Sequence, residues 1–249
     1  MRAQSAAEEQ AFWRKRMTDG PPPPDAYATA VWEALRALTE PLPIHSVLEI
    51  GPGWGNYTLS LCRTFPKVTC VDISPDNLAY ISSRSAPWNP IVPICSTWED
   101  AEVPVHDLVF GYNCLYRLEE PEHFLKKMND HAGHLCVIGM NCPPEFPWLP
   151  SLEAADLPIR YTRQGCRELG EVLTSLGISC KMINIPNHRT YRYADKEAIL
   201  RRVEQFLMES CPRERLWDLL SPFHRREGTQ WVCEYPFDSQ LLAWKPIRM

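Results

Sequence analysis

Between Ser46 and Met140, short and almost uninterrupted apolar runs alternate with stretches whose apolar positions recur at helical spacing. The runs are Ser46–Ile50, Lys67–Asp72, Ile91–Cys95, Asp107–Gly111 and His134–Gly139, and the helical stretches cover 55–64, 75–85 and 119–130. A strand with one wet face alternates apolar and polar residues, whereas a strand covered on both faces reads as a continuous apolar run. Five such strands with helices between them predict a parallel sheet covered on both sides, a doubly wound α/β fold.

The flanks read differently. Residues 5–17 predict a short amphipathic helix carrying Phe12 and Trp13, the prolines at 21–24 an extended spacer, and 25–39 a second helix that starts at Asp25 and stops before Pro41. After Met140, residues 141–160 hold five prolines beside Phe146 and Trp148, too proline-rich for a core element and too aromatic for a solvated linker. There follow a predicted helix over 162–176, a strand Ile178–Ile185, a basic and aromatic loop His188–Tyr193, helices over 195–209 and 213–221, and a last strand Gln240–Lys245. The expected organisation is an N-terminal helical segment, 1–40, and one domain, 41–249, with insertions at about 141–160 and 186–230.

Composition narrows the function classes. A formal net charge of -5 argues against a general nucleic-acid binder. The region 157–228 carries 13 Lys+Arg against 9 Asp+Glu, a local +4 that fits either a solvated helical face or contact with something anionic. No apolar run approaches the roughly 18 residues of a membrane span, and the polar N-terminus is unlike a signal peptide, so a soluble cytoplasmic protein is expected. The ten cysteines include no CxxC pair and read as small, buried, reduced hydrophobes. The histidines show no HExxH pattern, and no metal site is expected.

Glycine is scarce, 11 residues against 24 prolines, yet Gly51, Gly53 and Gly55 fall together where the first strand gives way to a helix. Such a turn lets backbone approach a ligand closely. The spacing is GxGxG rather than the GxGxxG of a dinucleotide turn, and no Gly-Lys-Ser/Thr follows to make a P-loop. Glu49, two residues before the first glycine, would repel a pyrophosphate and attract an ammonium or sulfonium.

Glu49-Ile50-Gly51-Pro52-Gly53-Trp54-Gly55 resembles the first motif of the class I S-adenosylmethionine-dependent methyltransferases, an acid followed by GxGxG at the end of strand one. The resemblance covers about Ser46 to Met140 and continues more weakly to Pro246. It implies a Rossmann-like, mostly parallel seven-stranded sheet whose last strand is antiparallel, with S-adenosyl-L-methionine as cofactor. It places Asp72, at the end of strand two, on both ribose hydroxyls, and Ile73 against the adenine. Thr97 and Trp98 fall on the adenine-contacting loop, Thr97 where many members have Asp. Asn113 falls on the segment under the methionine moiety that faces the acceptor, and Phe12-Trp13-Arg14-Lys15-Arg16 resembles a helical lid. Plainer roles stand beside these: Glu49 as a cap of the glycine-turn amides, Asp72 as a helix N-cap, Asn113 as a turn residue, and Trp98 and Trp13 as packing.

Acceptor classes can be sorted the same way. The Asp/Asn-Pro-Pro-aromatic segment of amino-methylating DNA and RNA enzymes is replaced here by Asn113-Cys114-Leu115-Tyr116, while Asn141-Cys142-Pro143-Pro144 follows the wrong strand. The Pro-Cys nucleophile of cytosine enzymes and the paired-glutamate loop of protein arginine enzymes are not evident. A small-molecule acceptor is expected, with neither nucleic acid nor membrane as partner; a non-catalytic binding protein of the same fold is the alternative. Tyr116, Arg160, Tyr161, Arg163, His188, Arg189, Tyr191 and Arg192 are candidate substrate contacts, with His188 and Tyr116 the candidate bases. Their arginines and aromatic rings hint at a ring-bearing or anionic acceptor.

Overall fold

The computed structural model describes residues 6–19, 26–85, 89–115, 120–142, 146–159 and 165–248. In chain order the elements are α1 (Ala6–Asp19), α2 (Ala26–Thr39), β1 (Ser46–Ile50), α3 (Thr58–Thr64), β2 (Lys67–Asp72), α4 (Pro75–Arg84), β3 (Val92–Cys95), β4 (His106–Tyr112), α5 (Pro121–Asp130) and β5 (Ala132–Asn141). They continue as α6 (Leu149–Ala154), α7 (Cys166–Ser175), β6 (Lys181–Tyr193), α8 (Lys196–Glu204), α9 (Arg213–Leu220), a 3₁₀ turn (Ser221–Phe223), β7 (Arg225–Glu227) and β8 (Gln230–Trp244).

The strands form one sheet in the order β3-β2-β1-β4-β5-β8-β6, with β7 paired to β8 beside this path. Pairing is parallel from β3 through β5, and antiparallel between β7 and β8. The chain starts in the middle of the sheet, runs outward to β3 and returns across β1 to β4. That reversal makes the carboxyl ends of β1 and β4 the switch point, where open α/β sheets bind ligands. The strand centres are buried on both faces, as their apolar runs require: Val47, Leu48, Val68, Cys70, Leu108, Val109 and Phe110 are all inaccessible.

The chain divides into two compact units. The first comprises Met1–Met140, Gln164–Ile185 and Ser239–Met249. Its core joins sheet residues such as Leu48, Val109 and Ile138 to Leu125 and Met128 of α5 and Leu169 and Leu173 of α7. The second comprises Asn141–Arg163 and Pro186–Asp238, with its own core of Phe146, Trp148, Leu152, Leu200, Val203, Leu216 and Leu220. β6 and β8 each cross from one unit to the other.

Three expectations need correction here. The segment 188–193 is strand rather than loop. Arg189, Tyr191 and Tyr193 are half-buried while His188, Thr190 and Arg192 are exposed, a period of two that the basic and aromatic composition conceals. The last strand begins ten residues earlier than expected, after a tight turn at Gly228 (φ 59°) that closes the β7–β8 hairpin. Within the proline-rich stretch after Met140, residues 146–159 supply a core element: Pro150 stands in the first turn of α6, where a missing N–H costs nothing. Trp148, 1% exposed, stacks on Phe146 at 4.6 Å between ring centres. Trp148→Ala is therefore expected to destabilise the protein by about 3–5 kcal/mol, read as a lowered denaturation midpoint in urea.

The cysteines are all free, but their burial is uneven: Cys95 is exposed and Cys114, Cys142, Cys180 and Cys211 are partly so. Asp25 lies outside the described residues. Among the described residues, no helix is long and apolar enough to cross a membrane.

Candidate active site

The glycine turn follows directly from β1. The Gly51 N–H still donates to Val71 O at 2.9 Å, so the turn leaves the sheet tied to β2. Gly51, Gly53 and Gly55 adopt φ of 62°, 53° and 74°, a region that side chains disfavour. At the first position space is closed as well: a Cβ on Gly51 would stand 2.7 Å from Cβ of Cys114. At Gly53 a Cβ would meet the rim of the Trp13 ring at 3.2 Å, and at Gly55 it would meet Ile81 of α4 at 3.0 Å. The turn thus presents bare backbone at the end of β1 before α3 begins.

Asp72 ends β2 beside this turn and is 5% exposed. Its Oδ2 accepts the Gly53 N–H at 3.2 Å and its Oδ1 the Ser74 N–H at 2.8 Å. The Asn77 side-chain amide reaches both oxygens at 3.3 and 3.4 Å. Burial raises the Asp72 pKa from its ordinary value, and the Ser74 and Gly53 amides and Asn77 oppose that rise. The cap of α4 is Ser74, whose hydroxyl accepts the Asn77 N–H at 3.2 Å, so the capping role is filled without Asp72. Asn77 escaped the sequence reading. Nothing in its spacing marks it, because it joins Asp72 only once Pro75 and Ser74 have started the helix.

Glu49 is 2% exposed on β1. It does not cap the glycine-turn amides: its partners are the Thr58 hydroxyl at 2.6 Å and the Cys70 thiol at 3.7 Å. Burial pushes its pKa up to about 7, with the two hydrogen bonds opposing and the charge of Asp72 adding to the rise. The carboxyl is thus close to half protonated at neutral pH, rather than a permanent anion on the loop.

α1 lies across the turn. Gln10 donates from Nε2 to Ile73 O at 3.0 Å, and Trp13 donates from Nε1 to Glu9 Oε1 at 3.0 Å while its ring covers Gly53. Ile73 follows Asp72, and its carbonyl also accepts the Cys95 thiol at 3.8 Å.

Thr97 lies on the turn after β3 with its hydroxyl engaged, donating to Asp100 Oδ2 at 2.8 Å and accepting the Asp100 N–H at 3.2 Å. Trp98 does not offer a flat wall to a ligand. Its indole is 5% exposed in the sheet core, and its N–H donates to Phe124 O at 3.3 Å. Asn113, just past β4, holds φ 54° and donates its N–H to Gly139 O at 2.8 Å. This left-handed conformation is one that asparagine tolerates better than most residues. Cys114 follows it, and burial pushes its thiol up to about 12.

Tyr116, Arg160, Tyr161 and Arg163 lie outside the described residues. His188, Arg189, Tyr191 and Arg192 belong to the second unit, on β6. Arg189 donates to the Tyr191 hydroxyl at 3.1 Å and lies 4.9 Å from the centre of the Phe237 ring, and Arg192 pairs with Glu227 at 2.9 Å. Among the described residues, no cluster of His, Cys, Asp or Glu is arranged to hold a metal ion.

Residues 47–132 match a family model described as a methyltransferase domain. No curated protein matches the sequence. Among solved structures, a putative methyltransferase from Bacillus halodurans C-125 is similar at TM-score 0.59 and 13% identity, over 87% of this chain and 99% of that one. Magnesium protoporphyrin IX methyltransferase from Synechocystis PCC 6803, with bound S-adenosylhomocysteine, is similar at 0.53 and 13% identity, over 99% and 89%. The N-methyltransferase NodS from Bradyrhizobium japonicum WM9, also with S-adenosylhomocysteine, is similar at 0.51 and 13% identity, over 87% and 85%. At such identities the likeness is one of fold, and it agrees with the strand order: the chain has the Rossmann-like α/β fold that these methyltransferases share, and residues 47–132 within it match the methyltransferase-domain model.

Proposed function

We propose that this protein transfers a methyl group from S-adenosylmethionine to a small-molecule acceptor. The observation that carries the reading is the Asp72 carboxylate, buried at the end of β2 and fixed by the Gly53 and Ser74 amides beside a turn of bare backbone. These residues suit the cofactor. The Gly53 and Ser74 amides hold one lone pair on each oxygen, and two ribose hydroxyls would take the place of the longer Asn77 contacts at 3.3 and 3.4 Å, each through a charge-assisted hydrogen bond. The glycine turn gives close approach, and the nearby Glu49 favours a cationic ligand once it is ionised.

When bound, the cofactor supplies both the activated methyl group and its own leaving group. What remains for the protein is to bind, align and exclude water. Asp72 would hold the ribose, Ile73 and Thr97 would flank the adenine, and Gly51, Pro52, Gly53 and Gly55 would carry the methionine side with Asn113 next to it. Trp13 would close over the turn. The small-molecule acceptor is supported by the kinds of enzyme that share the fold, including a porphyrin methyltransferase and an N-methyltransferase.

The reading is tested by incubating the full chain with cofactor labelled on the methyl group and a metabolite extract. The expected result is a labelled small molecule that is absent with Asp72→Ala. Label appearing only on protein or nucleic acid, or none in any fraction, would count against it.

A further inference from the structure

The turn after β3 is fastened to α5 from two sides. From within, the Trp98 ring packs against Phe124 and His131, with ring centres 5.9 and 6.0 Å apart, and its N–H donates to Phe124 O. From the rim, Lys127 in the last turn of α5 donates from Nζ to Trp98 O at 2.8 Å, Glu99 O at 2.8 Å and Ala101 O at 2.7 Å. Its ammonium also stands 4.9 Å from the centre of the Trp98 ring. An ammonium has three N–H donors, and all three go to one turn. The turn closes on itself through the Ala101 N–H, which reaches Thr97 O at 3.1 Å and Trp98 O at 3.4 Å.

The same turn is joined to the candidate nucleoside site. Ser96 donates its N–H to Asp72 O at 3.1 Å, and the Cys95 thiol donates to Ile73 O. A force that fixes Thr97–Ala101 therefore fixes the wall next to Asp72 and Ile73. A lysine on an ordinary helix face is solvated and replaceable, whereas this one ties three carbonyls of a single turn together; Trp98 O has the Ala101 N–H at 3.4 Å as a further partner.

We infer that Lys127 is a positioning residue for the nucleoside half of the bound cofactor, its ammonium holding the Thr97–Ala101 turn in binding shape. The inference rests on the proposed function. Lys127→Met keeps the stem and removes all three bonds; Lys127→Arg keeps charge and donors. The test uses titration calorimetry of the full chain with S-adenosylmethionine, S-adenosylhomocysteine and 5′-methylthioadenosine, with hydrogen exchange read on the peptide spanning 96–102. Lys127→Met should weaken all three ligands by a common factor of about ten, because they share the nucleoside. It should also speed exchange in that peptide alone, and Lys127→Arg should recover most of the loss.

If Lys127→Met binds all three ligands within about twofold of wild type, or loses S-adenosylmethionine but keeps 5′-methylthioadenosine, the inference is overturned while the proposed function stands. Wild-type protein that binds none of them overturns both. If Lys127→Met does not fold, Lys127→Gln, which keeps an amide donor without the charge, replaces it in the same comparison.

Discussion

Asp72→Ala is expected to lower the affinity for S-adenosylmethionine by at least about a hundredfold, since two charge-assisted hydrogen bonds of roughly 1.5–3 kcal/mol each are removed. Part of any loss could come from the fold, because Asp72 also holds the Gly53 and Ser74 amides. Asp72→Asn separates the two effects. It keeps the shape and one acceptor oxygen, and it relieves the desolvation cost that burial places on the carboxylate. Because its NH2 must face either the Gly53 or the Ser74 N–H, the Asn variant should lose stability by about one hydrogen bond, less than Asp72→Ala, and still bind poorly in calorimetry. Tight binding by Asp72→Asn would remove the carboxylate from the account.

Glu49→Gln should reshape the dependence of stability on pH. Glu49 has an ordinary pKa of 4.5 and is raised to about 7 in the folded chain, so the native state holds more protons than the unfolded state between these values. Stability from this group is fully present below pH 4.5 and is lost as pH rises through about 7. At roughly 1.4 kcal/mol per pKa unit, the loss is about 3 kcal/mol. Glutamine stays neutral, can still accept from the Thr58 hydroxyl, and should abolish the decline. Urea midpoints at pH 5 and pH 8 measure this: wild type should fall between them and Glu49→Gln should not. A wild-type midpoint that rises with pH, with the rise abolished in Glu49→Gln, would mean that Glu49 is paired and ionised rather than desolvated. A bound cation favours the ionised form, so cofactor binding should release a proton below neutral pH and tighten as pH rises towards 7.

The part of this site that is legible in the sequence is the part written locally. Buried parallel strands spell themselves as apolar runs, so β1 and β2 fall on Ser46–Ile50 and Lys67–Asp72, the bounds that the pattern predicts. The glycine turn is equally visible, because left-handed backbone at Gly51 and Gly53 leaves few other residues possible. What stays hidden depends on distant closure. Thr58 meets Glu49, Asn77 meets Asp72 and Lys127 meets the turn at Trp98 only after the sheet is assembled, and none carries a marker of its own. Trp98 shows the reverse error: an aromatic residue beside a ligand loop suggests a ligand contact, yet its large apolar ring is better accommodated in the core of α5 and the sheet. β6 runs on past Ile185 for a related reason that its composition hides: Arg189, Tyr191 and Tyr193 occupy its half-buried positions, where aliphatic residues would make the alternation plain.

The most direct test of the central claim is a calorimetric titration of the unmodified full chain with S-adenosylmethionine at pH 7.5. The account predicts saturable binding at one site per chain, lost in Asp72→Ala. Wild-type protein that takes up no cofactor, or an Asp72→Ala variant that binds as tightly as wild type, would contradict it.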